Sequence, residues 1–232
     1  METPKLHPVV LFRVLPSAKS KLKTAEIGYL NEMLNNPKIS KDLLSPYSRN
    51  QDGCFQGIFA SGKHLLQNLF LIREHFYPYD IQFSIGVGEV KSPINSVMAT
   101  NIEGKAIDYA EFALSSAPKS GNHLVMRGFS KSLEGIMNPS VELLWSSTRN
   151  WNLNRLKILN YKLQGNTEAK IAQLMQISER AIYKNIAEAK LIHWKDLIFA
   201  VEENISRVLR THPTAPSQVA CLHNLSPPPI HQ

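Results

Sequence analysis

The chain has 232 residues, 43% of them hydrophobic and 19% charged, enough apolar side chain for one packed domain and a smaller second one. Lys and Arg outnumber Asp and Glu by 26 to 19, a formal charge of +7 that suits a polyanionic partner without specifying one. No apolar run approaches membrane-spanning length, and Met1 to Pro4 opens without a basic segment followed by an apolar one, so a cytoplasmic protein with no membrane partner is expected.

An opening strand is expected near His7 to Val14, rich in Val, Leu and Phe. A helix follows from about Lys19 to Leu34, with Ile27, Leu30 and Leu34 on one face, and Asn35-Asn36-Pro37 ends it. Ser45 to Asn50 reads as the first arm of a hairpin and Cys54 to Phe59 as the second. A Leu-rich helix spans Gly62 to Phe76 and is closed by Pro78. Tyr79 to Val90 begins with β-branched and aromatic residues and passes into Gly86-Val87-Gly88, as a buried strand approaching a close-packed turn would. Ala106, Ile107, Ala110, Ala113 and Leu114 then recur at helical spacing, Pro118 and Gly121 are expected to stop that helix, and Asn122 to Met126 resumes as a strand. The first six elements follow a β-α-β-β-α-β order, which a ferredoxin-like split βαβ arrangement requires, with its helices on one sheet face.

After Phe129 the pattern turns helical. Pro139 is placed as a first-turn proline, and Val141, Leu144, Trp145, Leu156, Leu159 and Leu163 fit one or two helices that end at Gly165-Asn166. Thr167 to Ile186 has the layout of a helix-turn-helix: Asn166 or Thr167 caps a short helix whose Ile171, Ala172 and Met175 face inward, Ile177 plugs the turn, and Ser178 caps a second helix. On that second helix Ile182, Ile186 and Ala189 share the inner face, while Arg180, Tyr183, Lys184 and Ala187 look outward. Arg can meet guanine edges or phosphate, Lys and Tyr can meet phosphate, and a small residue permits close approach, which is what a major-groove helix needs. Gln176 stands at the turn position that usually carries Gly, and a small helical bundle with a charged outer face would show the same periodicity.

From Trp151 to Arg210 the chain carries ten Lys and Arg against six Asp and Glu, a modest excess that a solvated face also produces. Leu191, Trp194, Ile198, Val201, Ile205 and Val208 form a heptad-like seam, read either as a terminal helix packed on its own domain or as a homodimer contact through residues 190–210. Residues 211–232 are proline-rich and polar and are expected to be a disordered tail. Cys54 and Cys221 are the two cysteines and are treated as free thiols. With no Cys-x-x-Cys and no His pair at ligand spacing, neither a zinc site nor a cofactor is expected.

The strand from Tyr79 and the helix after Gly104 resemble the segment of class III nucleotidyl cyclases in which a Gly-containing strand precedes a helix carrying an Asn and an Arg. The chain also resembles the bacterial SatD family, which couples such a palm to a C-terminal DNA-binding motif. Gly53-Cys-Phe-Gln-Gly-Ile-Phe59 stands where those proteins usually read Gly-Asp-Glu-Phe-Gln-Gly followed by apolar residues, and Phe55, Gln56 and Gly57 match in order. Val9 to Lys19 is similar to the opening strand, with Ser17 and Lys19 fitting and the strand Asp absent.

The departures bear on chemistry. Two-metal phosphoryl transfer needs hard carboxylate oxygens on adjacent strands. Here the opening-strand position reads Val14 beside Arg13, and the hairpin position reads Gly53-Cys54. Asp52 is displaced along the hairpin, and a one-residue shift reverses the side-chain face unless a bulge re-aims it. The positions of the family's Asn and Arg align with Asp108 and Phe112, and a phenylalanine cannot stabilise developing phosphate charge.

The expectation is therefore an α+β chain. A nucleotidyl-cyclase-like palm without catalytic residues would occupy residues 1–128, an all-α helix-turn-helix domain residues 129–210, and the tail residues 211–232. Double-stranded DNA is the expected partner, met by Arg180, Tyr183 and Lys184, with Ser178 and Lys190 at the phosphates. A small-molecule ligand of the palm would sit near Arg13, Gly53, Cys54, Gly86 and Gly88. The alternatives are a magnesium-dependent nucleotide enzyme rescued by Asp52 and Asp108, and a protein-interaction adaptor without DNA binding.

Overall fold

The computed structural model describes residues 5–15, 32–34, 36, 39 and 42–211. Most of the helix expected from Lys19 to Leu34, the segment after Thr211 and Cys221 lie outside the described residues. The chain is α+β: a five-stranded sheet followed by helices.

The strands are β1 (Leu6–Val14), β2 (Leu43–Arg49), β3 (Phe55–Phe59), β4 (Ile81–Glu89) and β5 (Leu124–Arg127), in the spatial order β2-β3-β1-β4-β5. The pairs β2/β3, β3/β1 and β1/β4 are antiparallel, and β4/β5 is parallel. β1 is central because its side chains are apolar on both faces: Val10 and Phe12 point to one core, and Val9 and Leu11 to another. Phe12 is a hub, with ring centroids 4.9 Å from Phe55, 5.1 Å from Phe83 and 5.9 Å from Phe76. Such aromatic pairs add about 0.5–1.5 kcal/mol each beyond area burial.

The larger core lies between one sheet face and α1 (Leu65–His75), with Met33, Leu34 and Ile39 on the same side. The opposite face carries α2 (Lys105–Ser120), the crossover from β4 to β5, through Ala106, Ile107, Ala110 and Leu114. α2 runs through Pro118, the first of the two expected stops, to Ser120 and ends beside the second, Gly121, at φ +72°.

Both sheet edges are closed by the chain itself. On β2, Pro46 has no amide hydrogen to offer and the pairing with β3 shifts register on either side of Ser45, as suits an edge strand. The segment between β4 and α2 covers this edge, the Ala99 amide donating to Pro46 O at 3.1 Å and Ser45 Oγ to Asn95 O at 2.5 Å.

On β5 the cover is α3 (Lys131–Thr148). Glu134, Asn138 and Glu142 lie four residues apart and so share one helix face. Glu134 accepts from the Gly128 and Phe129 amides, Asn138 accepts from the Met126 amide at 2.7 Å and donates to its carbonyl at 3.0 Å, and Glu142 accepts from the His123 amide at 2.7 Å. Pro139, expected to start a helix, instead lies inside α3, which begins earlier because Ser130 caps the Leu133 amide. The side-chain ladder to β5 holds the helix on both sides of the proline.

The remaining helices are α4 (Leu153–Leu163), α5 (Glu168–Met175), α6 (Glu179–Glu188) and α7 (Leu191–Thr211). The change from sheet to helices after residue 128 is not a gap in packing. Trp145 of α3 packs against Phe70 and Phe83, Asn160 of α4 donates to Phe70 O at 3.1 Å, and Glu202 of α7 accepts from the Gln67 amide at 3.0 Å and Gln67 Nε2 at 2.8 Å. One core cluster runs from β1 and β4 through α1 into α4, α5, α6 and α7.

Candidate functional site

α5 and α6 are two short helices joined by a tight turn at Gln176 to Ser178. Thr167 Oγ1 accepts from the Lys170 amide at 3.3 Å and Ser178 Oγ from the Ala181 amide at 3.2 Å, so each helix starts at a hydroxyl that satisfies an otherwise orphaned donor. Between them Gln176 adopts the left-handed conformation, φ 56° and ψ 41°, and the Ile177 amide closes the turn on Ala172 O at 3.2 Å. The backbone geometry that usually selects Gly is thus met by a glutamine.

Ile171, Ala172, Ile182 and Ile186 are buried in the main core, with Met175, Ile177 and Ala189 packed against it. Ser178, Arg180, Tyr183, Lys184, Ala187 and Lys190 are exposed, Tyr183 at 56%. Lys184 has Glu188 one turn away at 3.7 Å, a pair too exposed to hold the lysine against a phosphate. Lys190 lies in the α6–α7 turn at φ 53°.

α6 is tied to the rest of the molecule by groups that its own sequence does not reveal. Arg155, in the first turn of α4, donates to Asn185 Oδ1 at 3.4 Å and Glu188 Oε2 at 3.3 Å. Trp194 Nε1 donates to the carbonyl of Ala189, the C-cap of α6, at 2.7 Å, and its ring meets Trp151 edge to face at 6.0 Å. These contacts set the pose of the exposed row.

The seam of α7 faces inward: Leu191, Ile198, Val201 and Ile205 are buried, and Trp194 and Val208 pack against the same core. Its apolar periodicity is satisfied within the chain, as for a terminal helix packed on its own domain. Ile192 at 53% exposure and Phe199 at 39% lie on the outer face.

The residues expected to line a palm cleft divide into two places. Arg13 pairs with Gln82 across β1 and β4, its Nε donating to Gln82 Oε1 at 2.9 Å. Cys54 lies within electrostatic reach of Arg13, Asp52, Arg49 and Glu111, and Gly53, at φ +81°, forms the adjoining hairpin turn. Burial pushes the Cys54 thiol above its ordinary pKa, which disfavours the thiolate, while Arg13 and Arg49 act against that shift. Glu111 is raised by burial and by Asp108 and Asp52, so the carboxylates of α2 and the hairpin converge there.

Gly86 and Gly88 lie elsewhere, under α2. A Cβ on Gly86 would stand 2.0 Å from Ala106 O, and one on Gly88 would stand 2.9 Å from the Ala106 amide nitrogen. These glycines let the helix backbone rest directly on β4. Phe112 is 59% exposed with the Arg127 guanidinium 5.4 Å from its ring centroid.

Among the described residues, no helix is long and apolar enough to cross a membrane. The chain matches no family model, no curated protein and no solved structure.

Proposed function

We propose that the chain is a DNA-binding regulator in which α5 and α6 engage duplex DNA and the sheet serves as a non-catalytic scaffold or sensor. The observation that carries this reading is the division of α6: Ile182 and Ile186 are buried while Arg180, Tyr183, Lys184 and Ala187 form one exposed row behind a capped N-terminus. A helix fixed on its inner face and free on its outer one can enter a major groove, with Arg180 at base edges or phosphate, Tyr183 and Lys184 at phosphates, and Ser178 and Lys190 at the ends of the helix.

For the sheet, the proposal is a ferredoxin-like, cyclase-like palm of the SatD type. The order β2-β3-β1-β4 with antiparallel neighbours supports it, as does the placement of α1 and residues 33, 34 and 39 on a single face. The pseudoenzyme part rests on residue chemistry: Cys54 and Phe112 stand where an acid and a cation would be needed, and Asp52 is exposed in the hairpin turn.

The test is selection of genomic DNA fragments by the full chain at near-physiological salt, beside the Arg180→Ala/Lys184→Ala variant. Both side chains are exposed, so the variant is expected to keep the fold, by circular dichroism, and lose sequence-selective binding. Equal enrichment by both proteins removes the assignment of these residues. Absence of DNA affinity even at low salt favours the protein-interaction adaptor, and magnesium-dependent turnover of ATP or GTP favours the enzyme.

A further inference from the structure

Where the sheet meets the helices, a cleft of about 560 Å³ opens between the end of α1, the start of β4 and the α3–α4 junction. Arg73, Tyr77, Asp80, Arg149, Trp151 and Asn152 line it. Arg73 is unusual, a guanidinium side chain only 2% exposed. Its Nη1 donates to Tyr79 O at 2.8 Å, but its buried Nε has no acceptor. Asp80 is the carboxylate of the cleft, and it stands 3.7 Å from Arg73 and 3.5 Å from Arg149, too far for a bidentate pair with either.

We propose that this cleft binds a small oxyanion-bearing molecule with a flat ring, of the phosphate-ester or aromatic-carboxylate class, and that its occupancy adjusts the pose of α6. Two guanidinium groups face one shared carboxylate, so one positive charge is left over for a ligand. Burial holds Arg73 below its ordinary pKa; Asp80 and Tyr77 oppose the shift, and the like charge of Arg149 adds to it. An oxyanion between the two arginines relieves both costs. Tyr77, 37% exposed, is the aromatic side chain of the lining open to a ligand ring, and the volume lies within the roughly 300–1,000 Å³ range of small-molecule sites.

Coupling follows from the contacts of the wall. Trp151 meets Trp194, which bonds the carbonyl of the α6 C-cap Ala189, and Asn152 caps the α4 turn whose Arg155 reaches Asn185 and Glu188 of α6. A ligand that shifts the α3–α4 junction therefore shifts the exposed row. This coupling rests on the proposed DNA-binding reading, whereas the binding site does not.

The experiment titrates the full chain with inorganic phosphate, adenosine monophosphate and benzoate, following tryptophan fluorescence and thermal melting, and measures DNA affinity with and without each. Arg149 is half exposed, so Arg149→Ala is the variant expected to melt like the wild type without ligand. The expected result is saturable binding of at least one ring-bearing probe, tighter than phosphate, weakened about tenfold or more in Arg149→Ala, as loss of a charge-assisted hydrogen bond implies. No saturable binding of any probe, or binding indifferent to Arg149→Ala, overturns the site. Weaker DNA binding by Arg149→Ala with no small-molecule binding assigns the cleft to nucleic acid and also overturns it. Binding that leaves a measurable DNA affinity unchanged overturns the coupling. Ligand binding by a chain with no DNA affinity removes the regulator reading and leaves the site standing.

Discussion

Gln176 is the residue at which local geometry and side chain disagree. A non-glycine residue in the left-handed region is strained by its Cβ, and Gln176 is exposed. Gln176→Gly is expected to raise stability by about 0.5–1 kcal/mol, offset in part by the freedom glycine adds to the unfolded chain. Urea unfolding checks this, and a lower midpoint would mean that the glutamine side chain does something else in the turn. Glu202 gives a pH signature. It is 5% exposed, and burial raises its pKa above the ordinary 4.5 although the Gln67 amide and side chain oppose the shift. The folded state then holds this proton more tightly than the unfolded chain, so stability falls as pH rises from 4.5 through the raised value. Glu202→Gln lacks that loss. Its melting temperature relative to wild type is expected to climb from pH 4 to pH 7, and a constant difference across that range would contradict the raised pKa.

Among the elements, those legible in the sequence are the ones whose signals are local. Thr167 and Ser178 are hydroxyls directly ahead of apolar periodic runs, and both cap; Ile171, Ala172, Ile182 and Ile186 repeat at helical spacing, and all are buried. Gly86 and Gly88 read in the sequence as the approach to a close-packed turn, but both lie inside β4, and what packs on them is the α2 backbone. Pro139 could not be placed from sequence because what tolerates it is tertiary, the Glu134, Asn138 and Glu142 row on the edge of β5. That row makes a prediction. Asn138→Ala leaves the Met126 amide and carbonyl without partners beneath a fully buried side chain, at a cost of about 1–3 kcal/mol. Leu143→Ala on the same helix, at a side chain 69% exposed, is expected to change stability by less than about 0.5 kcal/mol. Equal unfolding midpoints for the two variants would show that the row does not support the sheet edge.

At the scale of the whole molecule, the sheet and the α5–α6 pair share a core to which α1 also contributes. Gln67 reaches Glu202 of α7, Asn160 of α4 reaches Phe70 O, and Arg155 and Trp194 fix α6 to α4 and α7. Apart from Trp194, which bonds Ala189 five residues before it, these partners are far apart in sequence, and for the same reason the Arg73, Asp80 and Arg149 cleft leaves no sequence signal: its charges come from α1, from the approach to β4 and from the end of α3. A change at the sheet can thus reach the exposed row of α6 through packed side chains, as the proposed regulator requires. The most direct test of the account is genomic fragment selection with the wild-type chain and the Arg180→Ala/Lys184→Ala variant side by side. The account predicts a recurrent sequence enriched by the wild type and lost in a variant that is still folded; enrichment by neither protein, at any salt concentration, would contradict it.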